Sequence, residues 1–365
     1  MTQGPLAGVR VVEFDAIGPV PLAAMILADM GAEIVRVARR SGQTWEDTGG
    51  AVLNRGRPVV HLNLKDEADR AAALTLMSRA DAVIEGFRPG VMERLGLGPD
   101  VCLEANPRLV FARVTGWGQT GPLAQRAGHD INYIAVTGAL NAIGPADRPP
   151  PPPLNLLGDY GGGTMFAVVG MLAAIISARS TGRGQVIDVA MTDGVAVLTS
   201  LFHAFRHRGL WREERGANLL DGGAPFYRCY ACADPRFVAV GALEPQFFAQ
   251  LLVGLGFGAE DFTQYDTAGW PTMAVAFADR FLTRTRDDWD RVFAGTDACV
   301  SPVLDFDEAI GHPHNRQRET FITRAGLAQP APAPRFSERT PPFPDAPGGG
   351  EVKIDEALSR WPSAR

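Results

Sequence analysis

The sequence predicts an α/β fold: a large domain with an open parallel sheet and flanking helices, followed by a smaller α+β domain. Three observations carry this. In the first half of the 365-residue chain, short β-branched runs alternate with helical periodicity. In the second half a strand–turn–strand pattern gives way to helical segments rich in Trp and Phe. Residues 330–350 are dominated by Pro and Gly and read as an extended strap. The expected division is a large α/β domain at 1–195, a linker helix at 196–221, a small α+β domain at 222–320 and a C-terminal strap at 321–365, returning to the large domain.

Taken in order, Val9–Phe14 is apolar and β-branched and reads as a strand. Leu22, Met25, Ile26 and Met30 then fall at helical spacing, and Gly31 ends that helix. Glu33–Val37 is the next strand, and His61 sits in another between Val60 and Leu62. Asp66–Ala80 is helical, and Ala82–Ile84 and Leu109–Val114 are buried strands. Met191–His207 reads as one helical stretch. Phe226–Tyr230 and Arg236–Val240 form a hairpin across the turn Cys232–Pro235. The run Pro149–Pro153 is a stiff connector.

Composition excludes several classes. With 46% hydrophobic and 21% charged residues the chain buries a core and is not disordered. A net charge of −6 provides no general field for phosphate backbones, so no nucleic-acid partner is expected. Lysine occurs only at positions 65 and 353, which leaves almost no Schiff-base candidate and assigns phosphate contacts to arginine. The apolar run Thr164–Ala178 is shorter than the roughly 20 residues of a membrane span and reads as a buried helix, so no membrane partner is expected. No charged n-region precedes an apolar core at the N-terminus, and the final Pro-Ser-Ala-Arg is no peroxisomal address; a cytoplasmic enzyme is expected.

The motifs narrow the chemistry. The turn Asp15–Pro21 lacks G-x-G-x-x-G, and neither a P-loop nor G-x-S-x-G occurs. Cys229 and Cys232 form a C-x-x-C without the second pair a structural zinc needs, while His203/His207 and His312/His314 lack acidic companions; no metal is expected. His129 follows the glycine-rich loop Thr115–Pro122 that leaves a buried strand at its carboxyl end, where ligands of open parallel sheets bind. There it is either a general acid or base, or an incidental residue at a helix start. Asp159, beside Gly161-Gly162-Gly163 and ahead of a long apolar helix, is either a capping residue or a functional carboxylate on a backbone that a ligand can approach. Glu244 follows a strand and precedes Pro245, which by itself indicates helix capping.

Together these segments resemble the family III CoA-transferase superfamily, in its α-methylacyl-CoA racemase branch. The resemblance runs from Pro5–Glu13 through Leu27–Val35, Glu85–Gly90, Thr115–Pro122, Gly128–Tyr133, Gly158–Gly163 and Gly182–Val186 to Gly241–Phe247. It implies a 1,1-proton transfer that interconverts (2R)- and (2S)-2-methylacyl-CoA through an enolate, in lipid and fatty-acid metabolism. His129 and Asp159 serve as the acid–base pair, the N–H of Asp159 holds the enolate oxygen, and Glu244 tunes or orients His129. CoA contacts carry over to Arg39, Arg88 and Arg94 for the phosphates and to Ile17, Leu62, Lys65, Gly86, Phe87 and Tyr133 around the nucleotide and thiol arm. Ala38 and Arg40 depart from the family pattern beside the first of these arginines.

The resemblance further implies an interlocked homodimer, whose active sites combine the large domain of one subunit with the small domain of the other. It implies no cofactor, since CoA is part of the acyl-CoA substrate. One alternative is a family III CoA-transferase that moves CoA between carboxylic acids through covalent Asp159. The other is an idle CoA-binding protein, which the presence of all three of His129, Asp159 and Glu244 disfavours.

Overall fold

A computed structural model describes residues 4–40, 49–338 and 350–361. Residues 339–349 of the expected strap and the terminal Pro-Ser-Ala-Arg lie outside the described residues. The chain forms two compact units. The first comprises residues 1–137, 153–199 and 316–365, the second 138–152 and 200–315.

The first unit is built on six parallel strands: β1 Arg10–Phe14, β2 Glu33–Ala38, β3 Val59–His61, β4 Ala82–Glu85, β5 Val110–Thr115 and β6 Gln185–Ala190. Their spatial order is β3-β2-β1-β4-β5-β6, with Val12 registered against both Val35 and Val83. Successive side chains on a strand point to opposite faces, and here both faces are covered. Val11, Ile84 and Ala112 pack with helices Pro19–Asp29 and Phe166–Thr181. Val12, Val83 and Phe111 pack with helix Glu67–Ser78 and the C-terminal helix Ile354–Arg360. Each fully buried Val or Ile contributes about 1.5–3 kcal/mol, which is why these near-continuous apolar runs read as central strands.

Local chemistry starts and stops the helices. Asp66 accepts the N–H groups of Ala68 and Asp69 and starts Glu67–Ser78. The C-terminal helix is held by the Trp361 indole, which donates to Glu33 at 3.0 Å, and by Arg79, which donates to the Leu358 carbonyl at 2.8 Å.

Three elements of this unit depart from the sequence expectation. Strand β6 was unforeseen, as was the hairpin of β10 Phe321–Arg324 and β11 Leu327–Pro330, which replaces the first part of the strap. Leu156–Thr181 is a continuous helical run of 26 residues, π-helical to Met165 and α-helical from Phe166. Among the described residues it alone is long and apolar enough to cross a membrane, and half of its most apolar window is buried in the protein. The π-helical turns lengthen a segment that the sequence suggested was too short.

In the second unit β7 Tyr227–Ala231, β8 Phe237–Gly241 and β9 Val300–Pro302 form an antiparallel sheet in that order. Helices Pro245–Leu255, Trp270–Phe281 and Arg286–Phe293 pack on it around Phe226, Phe248, Phe277, Phe281 and Trp289. Residues 138–152, expected in the large domain, group with this unit. Arg215 ties them down by donating to the carbonyls of Pro145 and Arg148 and to Asn141 at 2.8–3.2 Å. The expected helix Met191–His207 is two, Met191–Leu198 and Ser200–His207, with the units dividing at Thr199. Residues 208–221 of the expected linker helix are not helical.

Candidate active site

In an open α/β sheet the crevice lies at the carboxyl ends of the strands where the strand order reverses, here between β1 and β4. A cavity of about 620 Å³ occupies that position. Its walls come from the turn Asp15–Pro19 after β1, from Arg36 and Arg39 on and beyond β2, from Gly86–Pro89 after β4 and from Thr115–Trp117 at the end of β5 and beyond it. His129, Tyr133 and Asp159 complete it.

Glycines shape these walls by close approach. Gly116 must be glycine, since a Cβ there would lie 2.0 Å from the Tyr133 ring. That ring packs edge-on against Trp117 with centroids 4.9 Å apart, and its hydroxyl donates to the Gly128 carbonyl. The Trp117 indole donates to the Arg126 carbonyl at 3.1 Å, closing the loop that precedes His129.

His129 caps the helix Asp130–Val136 in an extended conformation, φ −132° and ψ 174°, and is exposed to the cavity. Its N–H donates to the Asn132 side chain at 3.0 Å, which fixes the helix start. Asp159 sits in the π-helical segment Leu156–Met165, an irregularity frequent at functional sites. Burial pushes its carboxyl up to about 6, the negative charge of Asp130 adds to that, and Asn155 and His129 oppose it. A carboxyl placed so can both hold and release a proton near neutrality.

Two expectations about Asp159 are corrected. Its N–H is not free for an enolate oxygen: it donates to Oδ2 of Asp130 at 2.7 Å, and the Gly158 N–H donates to the same oxygen at 2.6 Å. Nor does the glycine triplet open the backbone to a ligand. A Cβ at Gly162 would lie 2.7 Å from the Met191 carbonyl oxygen, and one at Gly163 would lie 2.8 Å from Pro19. Both serve to press the π-helical turn onto neighbouring helices.

Of the residues expected around CoA, Ile17, Arg39, Gly86, Phe87, Arg88 and Tyr133 line the cavity, while Leu62, Lys65 and Arg94 do not. Leu62 is 4% exposed in the core beneath the sheet. Arg40 is paired with Glu351 at 2.6 Å. Glu244 belongs to the second unit, where it is exposed and precedes Pro245 at the start of its helix without making a side-chain cap. The loop carrying it is held by Gln264, which donates to the carbonyls of Ala242 and Leu243 at 2.9 and 2.8 Å. Among the described residues no group of three or more His, Cys, Asp or Glu side chains could hold a metal ion.

Sequence reasoning missed Asp130, Asn155, Trp117 and Arg126. The adjacency of Asp130 to His129 was the available signal for the first, but its contact with residues 158 and 159 exists only in the fold.

Comparison with known proteins identifies the family. The CoA-transferase family III profile matches residues 6–351. The chain is 47% identical to the Alpha-methylacyl-CoA racemase of Mus musculus, over 96% of this chain and 92% of that one. It is 44% identical to the Homo sapiens protein of the same name, over 93% and 88%. A crystal structure of a CAIB/BAIF family protein from Brucella suis superposes with a TM-score of 0.84 at 22% identity, covering 99% of both chains, a likeness of fold. With its family profile, its fold and these relatives in agreement, the chain belongs to CoA-transferase family III.

Proposed function

We propose that the chain is an isomerase, an α-methylacyl-CoA racemase that inverts the α-carbon of 2-methylacyl-CoA thioesters by 1,1-proton transfer. The observation that carries this reading is that His129 and Asp159 line one cavity at the sheet's switch point, together with Arg39 and Arg88. One of the pair takes the α-proton, and the C–H electron pair moves into the thioester as an enolate. The other returns a proton to the opposite face. The C–H bond broken on one side is remade on the other, so the step balances without a redox change. Each acid–base group contributes roughly 10²–10⁴-fold. No cofactor is required, since CoA belongs to the substrate, and Glu244 serves to tune or orient His129.

The same reading includes an interlocked homodimer in the cytoplasm, acting on branched acyl thioesters of lipid metabolism. Val169 and Ile176, 66% and 70% exposed on the long apolar helix, support a partner subunit. The four cysteines, all free, suit a reducing compartment.

Proton NMR of a single stereoisomer of a 2-methylacyl-CoA in D₂O tests the reading. Loss of the α-proton signal together with loss of optical purity is expected, and His129→Ala abolishes both. A persistent α-proton, with CoA appearing on an added free carboxylic acid, replaces the racemase by a transferase acting through Asp159.

A further inference from the structure

We propose that Asp130 is the positioning residue of the proton-transfer pair, its carboxylate clasping the turn of Asp159 onto the helix start that carries His129. The inference rests on the reading of His129 and Asp159 as the two bases.

Three observations support it. First, Oδ2 of Asp130 accepts two backbone N–H groups, from Gly158 at 2.6 Å and Asp159 at 2.7 Å, across 28 and 29 residues of sequence. Hydrogen bonds of that length to a carboxylate are roughly twice as strong as neutral ones. Second, Gly158 permits the approach, since a Cβ there would lie 2.6 Å from the same oxygen. Third, Asp130 is only 6% exposed and its Oδ1 has no hydrogen-bond partner. A buried carboxylate with one unfilled oxygen is costly, and a purely structural cap would not need it, because Ser or Asn caps as well.

The consequence is geometric. His129 and Asp130 are consecutive, so the segment that aims the imidazole also holds the backbone of Asp159. A shift of one base relative to the other therefore has to break the clasp. Misplacement of a reacting group by about 1 Å costs on the order of 10²-fold in rate. The clasp also has an electrical side. Asp159 is faced by His129, Asp130 and Tyr133 from the helix Asp130–Val136. The β1 turn adds Asp15, which lines the same cavity and is paired with Arg36 at 2.9 Å. Of these, the negative charge of Asp130 favours the protonated form of Asp159.

The test compares Asp130→Asn and Asp130→Ala with wild type in two measurements. In α-proton exchange of a 2-methylacyl-CoA, Asp130→Ala is expected to lose about 100-fold in kcat with KM within threefold. Asp130→Asn keeps an oxygen acceptor and is expected to restore kcat to within about tenfold of wild type. In a ¹³C NMR titration of the Asp159 carboxyl, which needs no turnover, Asp130→Asn is expected to shift its midpoint to lower pH. An Asp130→Ala enzyme with wild-type kcat, or an unmoved Asp159 midpoint in Asp130→Asn, overturns the inference. If the wild type exchanges no α-proton the racemase reading fails, and the titration still decides whether Asp130 acts on Asp159. Should Asp130→Ala not fold, the Asp159 midpoint in Asp130→Asn decides by itself.

Discussion

A side-chain carbon at position 18 would stand 3.0 Å from Oδ2 of Asp159, because Gly18 brings the end of β1 directly against that carboxylate. Gly18 also holds φ at 77°, in the left-handed region that other L-residues enter at a cost of roughly 1–2 kcal/mol. The first βα turn thus lacks the dinucleotide fingerprint and still needs its glycine, to seat a side chain from another part of the chain.

Gly18→Ala should therefore impair both stability and rate. The backbone strain lowers the unfolding free energy by about 1–2 kcal/mol, and the new methyl pushes the Asp159 carboxyl aside. Rates of α-proton exchange should fall at least tenfold while CoA still binds. An alanine variant with wild-type exchange would show that Asp159 tolerates displacement and is not the base.

The Asp159 carboxyl also predicts a trade between function and stability. Its folded-state pKa is raised from 3.8 to about 6, chiefly by burial. For an acid shifted upward the ionised form is disfavoured in the fold, so the penalty is full above about pH 6. It fades as pH falls from 6 and is gone below about 3.8, where folded and unfolded states are both protonated. Asp159→Asn removes the penalty. It should abolish α-proton exchange and yet raise stability at pH 8 by an amount on the order of 1 kcal/mol, allowing for solvent screening of a partly exposed group. Melting curves at pH 8 and pH 5 test the sign: the gain must shrink at the lower pH.

How much of this was legible in the sequence depended on which forces are local. β1, β2, β4 and β5 were read because strands buried on both faces are apolar at most positions, Glu13, Arg36, Glu85 and Arg113 being exceptions. β6 escaped because it is an edge strand, with Gln185, Val186 and Asp188 exposed and only Val189 and Ala190 buried. Gly161-Gly162-Gly163 read as a ligand loop because nothing local shows that Gly162 faces the Met191 carbonyl. His129 and Asp159 were legible as residue types at a sheet edge. Asp130 was not, since its partners lie 28 and 29 residues away.

A second pair of residues governs the stability of the wall beneath the cavity. Arg57 and Glu13 are both 0% exposed and pair at 2.9 Å. Arg57 also donates to the Pro21 carbonyl at 2.9 Å and to the Asn54 side chain at 3.1 Å, so it joins β1, the first helix and the loop that lines the cavity. Burial pushes Glu13 up to about 7, with Arg57 opposing the shift. Arg57→Ala strands a buried acid, and breaking such a pair costs about 3–5 kcal/mol. Urea denaturation at pH 8, where an unpaired Glu13 is most costly, should show the loss; a change below about 1 kcal/mol would mean that water reaches the site.

The arginines divide in a way that binding can check. Arg39 and Arg88 line the cavity and are exposed, whereas Arg94, carried over from the family resemblance with them, does not line it. If the cavity walls are the CoA site, Arg88→Ala should weaken CoA binding by roughly tenfold, the value of one charge-assisted contact of about 1.5–3 kcal/mol within the spread of such measurements. Its loss should also flatten the dependence of affinity on salt between 50 and 200 mM, because one fewer cation then faces the phosphates. Arg94→Ala should bind within twofold of wild type under both conditions. Calorimetric titration of the three proteins with CoA separates the cases. If Arg94→Ala weakens binding as much as Arg88→Ala, the nucleotide reaches beyond the cavity toward the helix Val91–Arg94, and the family correspondence holds where the cavity boundary does not.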